Sequence, residues 1–304
     1  MTHHPEQRAG VAVGAVTYLA WGLLTLYWKQ LTGLDAFELM GWRVALGALT
    51  MAIGLTITRR WRNLAPLRGD RALLRSIAGA ALLLTVNWTT YLWAVVHGHV
   101  LETALGYFIA PIGTVLVGVM VLREPLHAAQ RVSLALAVAA VLVLSFSYGE
   151  VPVIAVLIAV SWVVYGYMKR QVPLGPIESM AAESFVLTAP ALAIVVLFAP
   201  KADSIPHVAT TGQLVLMAFA GVVTVAPLLG FAYAAHRVPF TVLGPLQYLV
   251  PTVAFLIGWL VYDEPLPGWR LLGFALVWIG LVVLTVDAAR RTRNGPPREA
   301  GRSH

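Results

Sequence analysis

The chain has 304 residues, 59% hydrophobic and only 12% charged, with a mean hydropathy of +0.78. Soluble domains carry about 25% charged residues, so a large water-soluble core is excluded. The net charge of +7 requires no nucleic-acid partner if it follows membrane topology, and the absence of cysteine excludes disulfides, thiolate metal sites and thiol redox chemistry.

A bilayer-spanning helix needs about 20 mainly apolar residues. Ten stretches qualify: 10–28, 36–58, 73–96, 102–122, 130–147, 151–168, 180–199, 212–235, 240–262 and 269–287. Short polar breaks separate them, as expected where unpaired backbone amides cost several kcal/mol in hydrocarbon. If the N-terminus is cytoplasmic, the inner segments hold seventeen Lys and Arg, and the outer ones only Lys29, Arg43, Lys201 and Arg270. That asymmetry puts both termini inside and supports ten crossings. Residues 1–9 form a cytoplasmic tail without the marks of a removable signal peptide. Residues 289–304, rich in Arg, Gly and Pro, read as a disordered cytoplasmic tail.

In the first span, Gly10 and Gly14 present a small-x-x-x-small face suited to packing within the chain or to a homodimer. Lys29 ends that span as Lys169 ends the sixth, and each is expected to snorkel to the nearer surface. Glu38 opens the second span, where it complements the helix N-terminus, and Arg43 follows it. The third span carries Asn87-Trp88-Thr89-Thr90-Tyr91, with Asn87 and Tyr91 four apart on one face. Glu102, Tyr107, Pro111 and Thr114 lie along the fourth, and Pro111 should kink it. Arg123-Glu124-Pro125-Leu126 then reads as a tight turn, with the acid capping a helix that starts at proline.

Lys29, Glu38, Pro111, Glu124 and Pro125 recur as Lys169, Glu178, Pro251, Glu264 and Pro265, always 140 residues later. The chain has only three lysines and two of them form a matched pair. A repeated unit with five crossings must place its second copy upside down. The expected fold is therefore an all-α polytopic membrane protein: ten transmembrane helices in two inverted five-helix repeats, 10–148 and 149–288. That layout is typical of secondary transporters, whose solute path lies near the bilayer midplane.

The buried polarity gathers around the two prolines, and Gln247-Tyr248 precede Pro251. Tyr91 and Gln247, at depth, are read as lining a cavity. Aromatic and amide groups with little charge suit a weakly charged, amphipathic or ring-bearing solute, and matched kinks at Pro111 and Pro251 suit a rocking mechanism. Ionisable groups within spans cost about 2.5–3.5 kcal/mol each and invite a functional reading; they are Arg43, Glu102, Glu183 and His236. Arg43 and Glu183 are equivalent positions near opposite faces, so each is expected to find a local partner or to be solvated at its own face. Glu102 is the first candidate for proton coupling and His236 a weaker one. Neither a His-Glu-x-x-His pair nor a phosphate-binding loop occurs, so no catalytic residue, metal or cofactor is expected.

Asn87-Trp88 through Tyr91, Trp93-Ala94-Val95, Gly98, Glu102, Leu105-Gly106-Tyr107-Phe108-Ile109 and Pro111 together resemble the RarD branch of the EamA family, in the drug/metabolite transporter superfamily. Ala20-Trp21-Gly22, Pro227-Leu228, Leu243-Gly244, Gln247-Tyr248 and Pro251-Thr252 are similar too. Trp42 departs from the histidine common at that position. The resemblance implies a permease of the bacterial inner membrane with a small-molecule substrate. It makes Asn87, Tyr91, Glu102, Tyr107 and Gln247, with Tyr248 beside it, the candidate solute-binding residues. Two function classes follow: a secondary-active or facilitative transporter of a metabolite or drug-like solute, or a non-transporting membrane sensor or accessory subunit.

Overall fold

A computed structural model describes residues 3–96, 100–146, 153–261 and 268–293. The described residues form α1 (His3–Lys29), α2 (Ala36–Ile57), a 3-10 segment (Trp61–Arg68), α3 (Arg71–Val96), α4 (Val100–Met120), α5 (Ala128–Phe146) and α6 (Val153–Gln171). They continue as α7 (Pro176–Phe198), a single-turn α8 (Ile205–Val208), α9 (Thr211–Arg237), α10 (Phe240–Leu246), α11 (Leu249–Val261) and α12 (Gly268–Arg293). Eight segments are long and apolar enough to cross a membrane, one of them α10 and α11 taken together. Leu105–Met120 and Leu271–Asp287 are shorter apolar helices. The protein is thus an all-α polytopic membrane protein. Leu23, Ile53, Phe219, Leu260 and Val282 face outward and are more than half exposed, as lipid-facing side chains must be.

Two helix ends overrun their expected limits. α1 begins at His3 and α12 continues to Arg293, because the apolar windows end before the backbone hydrogen bonding does. The Asp263-Glu264-Pro265 turn, His97 and His99 lie outside the described residues. Local caps fit the sequence: Asp35 accepts from the Phe37 and Glu38 amides at the start of α2, and Asp70 does the same for Ala72 and Leu73 at α3.

The packing is nearly unchanged when the first five long helices are exchanged with the second five. α1 packs on α9 and α11; their counterparts α6, α3 and α4 pack likewise, α6 on α3 and α4. α2 pairs with α7, α4 with α10, and α5 with α12. The side-chain bonds give direction to two of these pairs. Glu38, at the start of α2, accepts from the Ile205 amide just beyond α7 at 2.7 Å. Glu178, at the start of α7, accepts from Asn63 and Arg60 just beyond α2 at 2.8 and 3.2 Å. Glu124, just beyond α4, accepts from the Phe240 and Thr241 amides that open α10 at 3.0 and 2.9 Å. The α2 and α7 helices therefore run antiparallel, and so do α4 and α10.

These bonds extend one expectation, since Glu38 and Glu178 do lie in the first turns of their helices, and correct two others. Glu38 and Glu178 clasp the loop that follows the other half's second helix, while Asp35 supplies the α2 cap. Glu124 caps α10 and pairs with Arg170 at 2.9 Å, since α5 starts only at Ala128 and Pro125 remains in the turn. Lys169 does not snorkel: it is fully buried, its Nζ 2.7 Å from Glu183 Oε1. Lys29 is exposed, as an interfacial residue should be.

Glycines set the closest helix approaches, as is usual without a hydrophobic force between membrane helices. A Cβ on Gly22 of α1 would lie 2.5 Å from Val253 of α11, and one on Gly113 of α4 would lie 2.9 Å from Val163 of α6. The two equivalent interfaces are both tight, with the small residue on opposite partners.

Candidate solute-binding site

The fourth and ninth spans treat their prolines differently. α4 runs on through Pro111, whereas the ninth is interrupted at Gln247-Tyr248, so Pro251 falls in the first turn of α11. There a proline needs no amide partner. The Gln247 carbonyl accepts from Val250 instead, and Gln247 and Tyr248 donate back to Gly244 and Pro245 in tight turns. Hydrocarbon tolerates such irregular backbone only where protein buries it, and both residues are buried.

Three of the expected site residues are bonded into the helix packing. Asn87 of α3 donates to the Ile158 carbonyl at 2.8 Å and to Ser161 Oγ at 3.0 Å, both on α6. Gln247 donates to Thr114 Oγ1 of α4 at 2.9 Å and accepts from Trp162 Nε1 of α6 at 3.1 Å. The Tyr248 hydroxyl donates to the Phe108 carbonyl at 2.9 Å. Residues 108 and 248 are themselves equivalent positions, so this bond joins the halves where α4 crosses α10 and α11. Replacing Gln247 by leucine should lower stability by about 1–2 kcal/mol, since two interhelical bonds go and the Trp162 N–H is orphaned. Thermal unfolding followed by tryptophan fluorescence in detergent checks this.

Tyr91 and Tyr107 behave otherwise. Their rings meet edge-on at 6.1 Å yet stay 38% and 41% exposed. Glu102 belongs to α4, and its side chain lies outside the described residues. The expected residues therefore divide: Asn87 and Gln247 bond to α6, Tyr248 bonds to α4, and Tyr91 and Tyr107 meet each other with part of each ring exposed.

The charge that the second span carries at depth is Arg43. Its Nε donates to Thr224 Oγ1 of α9 at 3.0 Å. Its guanidinium carbon lies 4.5 Å from the Trp88 ring centre and 4.9 Å from that of Trp28, and cation–π contacts partly replace water. Tyr27, Tyr91 and Tyr107 stand close enough to feel its charge. A small cavity between α2, α3, α7 and α9 is lined by Arg43, Trp88, Ser184 and Thr224 together with Leu84, Leu187 and Leu228. The sequence had flagged Arg43 as a costly charge but had not joined it to the aromatic residues, because Thr224 and Trp88 reach it from other helices.

A family model described as the EamA-like transporter family matches the chain twice, over residues 8–146 and 151–286. The chain belongs to the EamA-like transporter family. Its relatives in that family include Protein RarD of Streptomyces exfoliatus, 40% identical over 96% of this chain and 93% of the relative. Protein RarD of Escherichia coli is 31% identical over 93% and 96%. An uncharacterized transporter of Bacillus subtilis, YojE, is 36% identical over 95% and 98%. The chain is an EamA protein of the RarD type, with a membrane transporter role. One solved structure, described as the crystal structure of a protein, superposes with a TM-score of 0.72 at 19% identity, covering 93% of this chain and 98% of its own. At that identity the likeness concerns the EamA fold alone.

Proposed function

We propose that the chain is a secondary-active or facilitative transporter that carries a small metabolite or drug-like solute across the bacterial inner membrane by alternating access. In this reading it crosses ten times as two inverted repeats, residues 10–148 and 149–288, with both termini cytoplasmic. The observation that carries the reading is the antiparallel course of α2 against α7 and of α4 against α10, each helix lying against its own counterpart. Equivalent halves of opposite direction can exchange their packing, so that the face open in one arrangement closes in the other. The double match to the family model supports the same division.

Purified protein in liposomes, tested with amino acids, aromatic metabolites and chloramphenicol, should exchange at least one solute above empty-liposome controls. Because the chain has no native cysteine, single introduced thiols report the path cleanly. Tyr91→Cys and Tyr107→Cys should react with a water-soluble thiol reagent, and the exchanged solute should slow them severalfold. Asn87→Cys and Gln247→Cys should stay slow. Exchange with no solute, together with a co-purifying partner, would favour the sensor or accessory-subunit reading. Topology reporters placing Lys29 and Lys169 on one side would end the inverted arrangement.

A further inference from the structure

Arg43 is the eighth residue of α2, roughly 10 Å below the helix start at 1.5 Å per residue. A cation at that depth normally has a carboxylate. Lys169 pairs with Glu183, Arg170 with Glu124 and Arg60 with Glu178. Among the described residues Arg43 has no such partner, and its only hydrogen bond there is from Nε to Thr224. Both terminal nitrogens keep their donors. Two indole faces flank the guanidinium without supplying an acceptor. Glu183, the equivalent residue in the second half, takes Lys169, Tyr165 and Ser179 as partners and is fully buried. The two halves thus differ at one matched position: one charge is neutralised inside the fold and the other is held available.

We infer that Arg43 is the solute-recognising group, and that the solute is a small organic monoanion whose carboxylate bridges the two free guanidinium nitrogens while its apolar body lies against Trp88. Planar guanidinium meets planar carboxylate with two parallel charge-assisted bonds. One cation balances one negative charge, and a dianion would bring an unpaired charge into a cavity whose other lining is mostly apolar, with Leu84, Leu187 and Leu228. Those walls suit a ring or a branched aliphatic body. Thr224 fixes the guanidinium from α9, so orientation is set before the solute arrives, and binding need not order the arginine side chain. The cavity is too small for such a body as it stands, so entry requires α2 and α9 to part.

This inference rests on the transporter reading for its meaning, but binding alone tests it. Purified wild-type protein is titrated with phenylacetate, indole-3-acetate and 4-methylvalerate, each beside its neutral amide, and followed by tryptophan fluorescence and by the unfolding temperature. At least one acid should bind, with its amide roughly tenfold or more weaker. Arg43→Gln should weaken the acid by roughly tenfold to a hundredfold and leave the amide unchanged, and Arg43→Lys should fall between. The wild-type comparison of acid with amide stands even if a variant misfolds. Acids and amides binding alike, acids binding Arg43→Gln as well as wild type, or no acid binding at all would each overturn the inference. Arg43-dependent binding of an acid that no liposome assay moves would sink the transporter reading and keep the anion site. Flux of neutral solutes indifferent to Arg43→Gln would do the reverse.

Discussion

Replacing Glu183 by leucine should destabilise the protein by roughly 3–5 kcal/mol, the usual cost of leaving one member of a buried ion pair without its partner. Lys169 and Glu183 are both fully buried, with Nζ 2.7 Å from Oε1. The same carboxylate accepts from the Tyr165 hydroxyl at 3.1 Å and Ser179 Oγ at 3.3 Å, so two further donors lose their acceptor. The unfolding temperature in detergent should fall sharply and the yield of folded protein with it. Lys169→Met alone should cost less, because a carboxylate can still be held by Tyr165 and Ser179. The double variant Lys169→Met with Glu183→Leu should recover most of the loss, since it removes both charges and leaves methylene groups in their place. That cycle separates an ion-pair effect from a packing effect. A double variant as unstable as Glu183→Leu would show that shape and not charge governs the site.

Lys169 also marks where the sequence stopped being readable. The all-α membrane class follows from composition, a property carried by the chain itself. The partner of Lys169 lies fourteen residues on, across the turn between α6 and α7, and an interfacial lysine looks the same in sequence as a buried one. The ninth span is apolar over its expected length, but its internal break is hidden for a different reason. Pro251 suggested a bend at its own position, but Pro245 also withholds an amide, and the helix breaks between the two, at Gln247-Tyr248. Asn87 and Gln247 are polar at depth, as expected, yet their amides are used up on Ser161, Thr114 and Trp162; hydrogen-bond capacity is visible in sequence, its consumption is not. Arg43 was visible as a charge inside a span. Its company of Trp28, Trp88 and Thr224 comes from three helices and needed the fold.

Gly221→Ala should be strongly disruptive while Gly47→Ala, on the same seam, should be neutral or slightly stabilising. Gly221 of α9 packs directly on the backbone of α2: an added Cβ would collide with the Leu46 carbonyl oxygen and come within 2.5 Å of Thr50 Oγ1. A carbonyl inside a helix cannot turn aside, so α9 must move away from α2, at a cost of about 1–3 kcal/mol for overpacking. Gly47 faces α9 as well, but its Cβ would meet only Val225 Cγ2 at 3.6 Å, an ordinary contact. There alanine gains up to about 1 kcal/mol of helix propensity over glycine. The functional consequence follows from position. Thr224 stands one turn beyond Gly221 and Arg43 one turn before Leu46, so a displaced α9 pulls Thr224 away from the Arg43 guanidinium, which it now meets at 3.0 Å. Gly221→Ala should therefore lower the unfolding temperature and also blunt discrimination between a carboxylic acid and its amide, whereas Gly47→Ala should leave the unfolding temperature intact. Gly221→Ala protein that is destabilised yet discriminates acid from amide as well as wild type would mean that the α2–α9 contact does not control the orientation of Arg43.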